Sequence, residues 1–77
     1  MVKHKVAIVI PAFNEASTIF EVIKSVKKYG QVIVVNDASK DETKQLAEDS
    51  GAIVINNNVN MGYDEALNLG FAKAKDL

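Results

Sequence analysis

Three short polar segments hold most of the residue types that could do chemistry: Pro11-Ala-Phe-Asn-Glu15, Asn36-Asp-Ala-Ser-Lys-Asp41 and Asn56-Asn-Asn-Val-Asn60. Each follows an apolar, β-branched run, so each stands where a buried strand ends. Glu15 and Asp37 carry the strongest signal. A carboxylate just past a buried strand sits in a concave, partly desolvated place and needs a partner there. It is an acceptor-only group, suited to ligands that present N–H and O–H donors. The asparagines say less, because Asn, Asp, Ser and Gly are what βα turns and helix caps require anyway. Asp64 and Glu65 stand at the start of a helical segment and read as first-turn charge that the helix dipole favours.

Other chemistries lack their residues. No G-x-G-x-x-G or G-x-x-x-x-G-K-[ST] loop is present, which argues against dinucleotide and P-loop proteins. There is no cysteine, and the single histidine, His4, rules out a two-histidine metal site. Asp37 and Asp41 are four apart across a turn, and Asp64 and Glu65 are adjacent; neither pair has metal-ligand character. Nine cations, all lysine, face ten carboxylates for a net charge of −1. That balance argues against nucleic acid as a partner, and lysines cannot offer the guanidinium fork that grips phosphates.

The elements that must position these segments follow from pattern. The 77 residues allow one small domain, and 48% apolar with 25% charged residues is a globular composition. Val6–Ile10, Val32–Val35 and Ala52–Ile55 are continuous apolar runs, as in parallel strands covered on both faces. Ile19, Val22, Ile23 and Val26 at helical spacing predict a helix over 16–28, closed by Gly30. A weaker helix over 41–49 rests on Leu46 and Ala47, with Ser39 and Glu42 spaced as a capping box. A third, over 62–75, is expected to bury Leu67, Gly70, Phe71 and Ala74. The expected fold is therefore α/β, a three-layer βαβαβα Rossmann-like parallel sheet. Right-handed crossovers in a 3-2-1 order put the first two helices on one face and the third on the other. One helix cannot cover the second face of three strands, so the chain reads as part of a larger domain, ending before a fourth strand. A 2-1-3 order is the competing arrangement. The run Val6–Ile10 is too short to span a bilayer. Lys3-His4-Lys5 before it mimics a signal peptide only faintly, since Pro11 and Glu15 end the run early. A place in the cytoplasm or on the cytoplasmic face of the membrane is expected.

Three blocks, in order, resemble the family 2 glycosyltransferases over nearly the whole chain. They are Ile10-Pro-Ala-Phe-Asn-Glu15 with Ile19 and Ile23, Val32-Ile-Val-Val-Asn-Asp-Ala-Ser-Lys-Asp-Glu-Thr43, and Asn60-Met-Gly62 with Ala66, Asn68 and Gly70. Departures are visible: Asn36 stands where the family often has a second acid, and Ala38 where it often has glycine. Tyr63-Asp64-Glu65 is acidic where many members are small or basic.

The resemblance implies a GT-A domain, of which residues 1–77 are the N-terminal part, and a nucleotide-diphosphate sugar as donor. It implies that Pro11, Ala12 and Phe13 frame the base or ribose and that Glu15 accepts hydrogen bonds near the nucleoside. Asp37 would accept from the base edge or a ribose hydroxyl, with Val35 packing beneath. A divalent metal, Mg or Mn, would neutralise the diphosphate in the full-length enzyme, held by an Asp-x-Asp outside these residues, as would be the catalytic base and the acceptor site. The rival reading is a small non-catalytic nucleotide-binding or regulatory α/β module. Asp37 is expected to lie on a loop, so that its loss costs affinity and little stability. The free edge of the first strand, or the uncovered apolar face of the sheet, is expected to pair with a second copy, making a homo-oligomer.

Overall fold

The structure, a computed structural model, describes residues 6–57 and 59–76, so Lys3, His4, Lys5 and Asn58 lie outside the described residues. Three strands, β1 (Ala7–Ala12), β2 (Gln31–Asp37) and β3 (Ile53–Asn57), alternate with helices α1 (Ile19–Val26), α2 (Thr43–Asp49) and α3 (Tyr63–Lys75). The strands are parallel, in the order β1-β2-β3, with Ile8 opposite Val32 and Val35 opposite Ile55. That is the 3-2-1 order; the 2-1-3 alternative does not occur.

Burial follows this order. β2 is the central strand, and Val32, Ile33, Val34 and Val35 are all buried. Its even-numbered residues join Ala12, Ile19, Ile23 and Ala47 in one core, with Ile10, Leu46 and Val54 packed against it. That face is covered by α1 and α2, which also touch each other. α3 lies on the opposite face, over β1 and β2. Ile53 and Ile55 on the edge strand β3 are only half-buried. The layers are thus helix, sheet, helix, as the crossover rule demands.

Several element boundaries differ from the sequence reading. β1 runs on through Pro11 and Ala12, which a strand at the sheet edge tolerates because a missing N–H there breaks no interior ladder. α1 starts at Ile19, and a 3₁₀ turn over Lys27–Tyr29 finishes it before Gly30. Val22 faces out of the core at 39% exposure. On α3 Ala66 and Gly70 are buried, whereas Phe71 is 53% exposed. The small pair lies one turn apart and lets the helix sit close to the sheet. A β-carbon at Gly70 would overlap Val9 Cγ1 and press on Val35 Cγ2 at 3.2 Å.

No helix among the described residues is long and apolar enough to cross a membrane. The close approach of α3 gives a direct test. Gly70→Ala gains about 1 kcal/mol of helix propensity but overpacks the α3–sheet contact by about 2 kcal/mol. Urea unfolding of the intact protein is therefore expected to show a net loss of about 1 kcal/mol; an unchanged midpoint would mean that α3 stands further from Val9.

Candidate functional site

The carboxyl ends of all three strands open on the same edge of the sheet, where open α/β folds hold their ligands. A cleft of about 270 Å³ lies there. Pro11 and Ala12 contribute from the end of β1, Phe13 and Glu15 from the loop after it, and Asp37 from the end of β2. Asn60, Gly62 and Ala66, at the start of α3, close the other side. Five of the six residues singled out in the sequence thus meet in one cleft. The sixth, Val35, is fully buried two residues before Asp37 and supports the floor without lining it. Phe13 is 45% exposed and leaves a flat apolar surface open at the rim.

Asp37 does not lie on a loop. It is the last residue of β2 and only 4% exposed. Asn57, its register partner on β3, donates from Nδ2 to Oδ1 at 3.2 Å. The Met61 amide donates to Oδ1 at 2.8 Å and the Gly62 amide to Oδ2 at 3.0 Å. The carboxylate therefore satisfies, from a distant strand, the two amides of the turn that leads into α3. Burial pushes its pKa up, but the bonds from Met61, Asn57 and Gly62 outweigh that and hold it below the ordinary 3.8. Asp37 is ionised and structural at once, so the expectation that its loss leaves folding intact is corrected.

The first two loops are tied together by side chains. Asn14, in the left-handed region at φ 54°, accepts the Lys40 amide on Oδ1 at 2.8 Å. The amides of Asn14, Glu15 and Ala16 donate to Ser39 Oγ (2.9 Å), Thr43 Oγ1 (2.9 Å) and Asp41 Oδ2 (3.2 Å). The Ser39–Glu42 capping box does not form, because Ser39 has turned to Asn14. Asp41 caps α2 instead, accepting the Thr43 amide at 3.0 Å and the Thr43 hydroxyl on Oδ1. The Thr43 hydroxyl, ahead of an opposing burial effect, lowers the Asp41 pKa, with help from the Thr43 and Ala16 amides. Ala38 is held at φ 63°, a conformation in which glycine is unstrained.

The asparagines divide between structure and site. Asn36 Nδ2 donates to Asn56 Oδ1 at 3.0 Å across the sheet, while the buried Asn36 Oδ1 has no partner among the described residues. Asn60 Oδ1 shares the Gly62 amide at 2.9 Å and lines the cleft. Sequence reasoning assigned no site role to Asn57, Asn60, Gly62 or Ala66. The Asn60-Met-Gly62 block was the available signal for three of them. Among the described residues no group of three or more Asp, Glu or His side chains could hold a metal, so the metal implied for the family does not fit here and no step runs through one.

Comparison with known proteins agrees with this architecture. The chain belongs to glycosyl transferase family 2, whose model matches residues 7–76. It is 44% identical over 52 residues to a glycosyltransferase of Haloferax volcanii, covering 65% of this chain and 17% of that one. Glucosyl-3-phosphoglycerate synthase from Mycobacterium tuberculosis, solved with Mn2+, UDP and glucosyl-3-phosphoglycerate, superposes with a TM-score of 0.74. It is 32% identical, with 87% of this chain and 29% of that one covered. A mannosyltransferase of Pyrobaculum calidifontis, solved with GDP-Man and Mn2+, superposes at 0.80 over 90% of this chain and 24% of that one. At 23% identity this second likeness speaks for the fold alone. The chain spans less than a third of the length of the curated relatives it matches.

Asp37 yields the prediction. Its pKa is depressed on folding, so its stabilisation is full above the unfolded value and drains away as pH falls through the folded one. Asp37→Asn turns an amide NH2 toward donors and is expected to cost about 2 kcal/mol at pH 7, the worth of a charged acceptor. In urea unfolding, the gap between wild type and Asp37→Asn should be widest at neutral pH and close below pH 3.8. A gap independent of pH would remove the ionised carboxylate from the fold.

Proposed function

We propose that the cleft holds the nucleoside of a nucleotide-diphosphate sugar, and that residues 1–77 are the donor-positioning N-terminal part of a GT-A glycosyltransferase domain. The observation that carries the reading is the convergence of Pro11, Ala12, Phe13, Glu15 and Asp37 on one cleft at the carboxyl edge of the sheet. Membership of the family and the UDP bound by the mycobacterial relative support it. The reaction transfers the sugar to an acceptor hydroxyl, on the cytoplasmic side. In that reaction this segment orients the donor, and its own residues move no proton. Phe13 offers the base a face to stack on, and Glu15 and Asp37 accept from N–H or O–H groups of the nucleoside. The divalent cation, the catalytic base and the acceptor site belong to other residues of the enzyme. The outer edge of β1, unpaired among the described residues, can take a further strand from the same chain or from a second copy.

Calorimetric titration of the full-length protein with UDP and GDP tests the reading. At least one is expected to bind, and Phe13→Ala should weaken that binding by about 1 kcal/mol without altering the unfolding midpoint, since stacking on an aromatic ring is worth roughly this much. Phe71→Ala, at another exposed phenylalanine outside the cleft, is the control and should change nothing. Binding of neither nucleotide, or equal loss in both variants, would overturn the proposal.

A further inference from the structure

We infer that the cleft selects a base with a single imide N–H, uracil or thymine, over guanine, and that Asn57 enforces the choice by occupying Asp37. This rests on the nucleoside reading of the cleft and goes one step past it, to which base is taken.

The argument is a count of lone pairs. An ionised carboxylate offers about four acceptor sites, two on each oxygen. On Asp37 three are filled. Oδ1 takes Asn57 Nδ2 at 3.2 Å and the Met61 amide at 2.8 Å, while among the described residues Oδ2 takes the Gly62 amide alone, at 3.0 Å. One site remains, on Oδ2. Gly62, the partner of Oδ2, lines the cleft, whereas Asn57 and Met61, the partners of Oδ1, do not. The open site therefore belongs to the oxygen on the cleft side.

One open acceptor matches one donor. Uracil and thymine present a single N–H flanked by two carbonyl oxygens. Asn60 lines the same cleft, and the Gly62 amide fixes its Oδ1, so its NH2 is available to a flanking carbonyl. Guanine presents an N–H and an NH2 side by side, and both need acceptors. A carboxylate with both oxygens open meets that pair, but here Oδ1 is saturated. The second guanine donor would be left unpaired in a partly desolvated cleft, the situation in which a polar site discriminates most strongly. Asn57 is the removable part of this arrangement, because the other two donors are backbone amides. It acts through Asp37 and is a positioning residue.

The test compares UDP, dTDP and GDP by calorimetry on the full-length protein. Wild type is expected to bind UDP or dTDP about tenfold or more tightly than GDP, the fold-change of one unpaired donor. Whichever of UDP and dTDP binds better identifies the base. Asn57→Ala frees an acceptor site on Oδ1 and should narrow the preference by at least about threefold through a gain in GDP affinity. Asn57→Ser, which shortens the side chain but keeps a hydroxyl, serves if the alanine variant unfolds. GDP binding as tightly as UDP and dTDP in wild type would overturn the inference while leaving the cleft a nucleoside site. An unaltered ratio in the folded Asn57 variants would overturn the role of Asn57. Binding of no nucleotide would overturn the functional reading beneath both.

Discussion

Asp37 accepts hydrogen bonds from Asn57, Met61 and Gly62, so β2, the end of β3 and the start of α3 meet at one ionised carboxylate. Among the described residues the Met61 amide and Asn57 Nδ2 have no other acceptor, while the Gly62 amide is shared with Asn60 Oδ1. The charge is tolerable at 4% exposure only because all three donors converge on it. The position of α3 depends on this bond set at one end and on Gly70 at the other. Between them they fix how closely the helix lies on β1 and β2, and thereby the width of the cleft that Ala66 and Gly62 help to line.

The residues facing the cleft gain precision from where they are mounted. Pro11, Ala12 and Asp37 stand on strands, not on the loops that follow. The loop that contributes Phe13 and Glu15 is braced by bonds from its amides to Ser39, Thr43 and Asp41. Sites carried on rigid elements hold their geometry better than sites on free loops. The left-handed conformations of Asn14 and Ala38 are local costs of this bracing, and they fall on either side of the contact between the two loops.

Much of the architecture was legible in the sequence, and the reasons are physical. Continuous β-branched runs and 3.6-residue periodicity act locally, so the element order, the parallel sheet and the 3-2-1 arrangement followed from them. The cleft residues Pro11, Ala12, Phe13, Glu15 and Asp37 were legible because a family resemblance and the rule for strand ends pointed to the same places. What depended on distant partners was not. The structural burden on Asp37 comes from amides 24 and 25 residues further on, which no local pattern announces. The choice of Ala66 over Phe71 for the buried stripe of α3 was hidden because a helix that packs closely hides small residues and leaves large ones outside. Ser39 and Glu42 had the spacing of a capping box, but Asn14 competed for the serine and Asp41 took its place.

The bracing of the first loop has a consequence for charge. Backbone amides at the start of a helix or in a tight loop are the usual means by which α/β proteins receive an anionic group. Here the amides of Asn14, Glu15 and Ala16 are bonded to side-chain oxygens, and those of Met61 and Gly62 are bonded to a carboxylate. Five donors that point along the sheet edge are thus spent on the protein itself, and Asp64 and Glu65 add negative charge at the head of α3. An anion approaching this edge finds no empty cradle among these five amides. Its charge would have to be balanced by cationic groups or by an accompanying cation, because the amides that could have received it are already bonded within the fold.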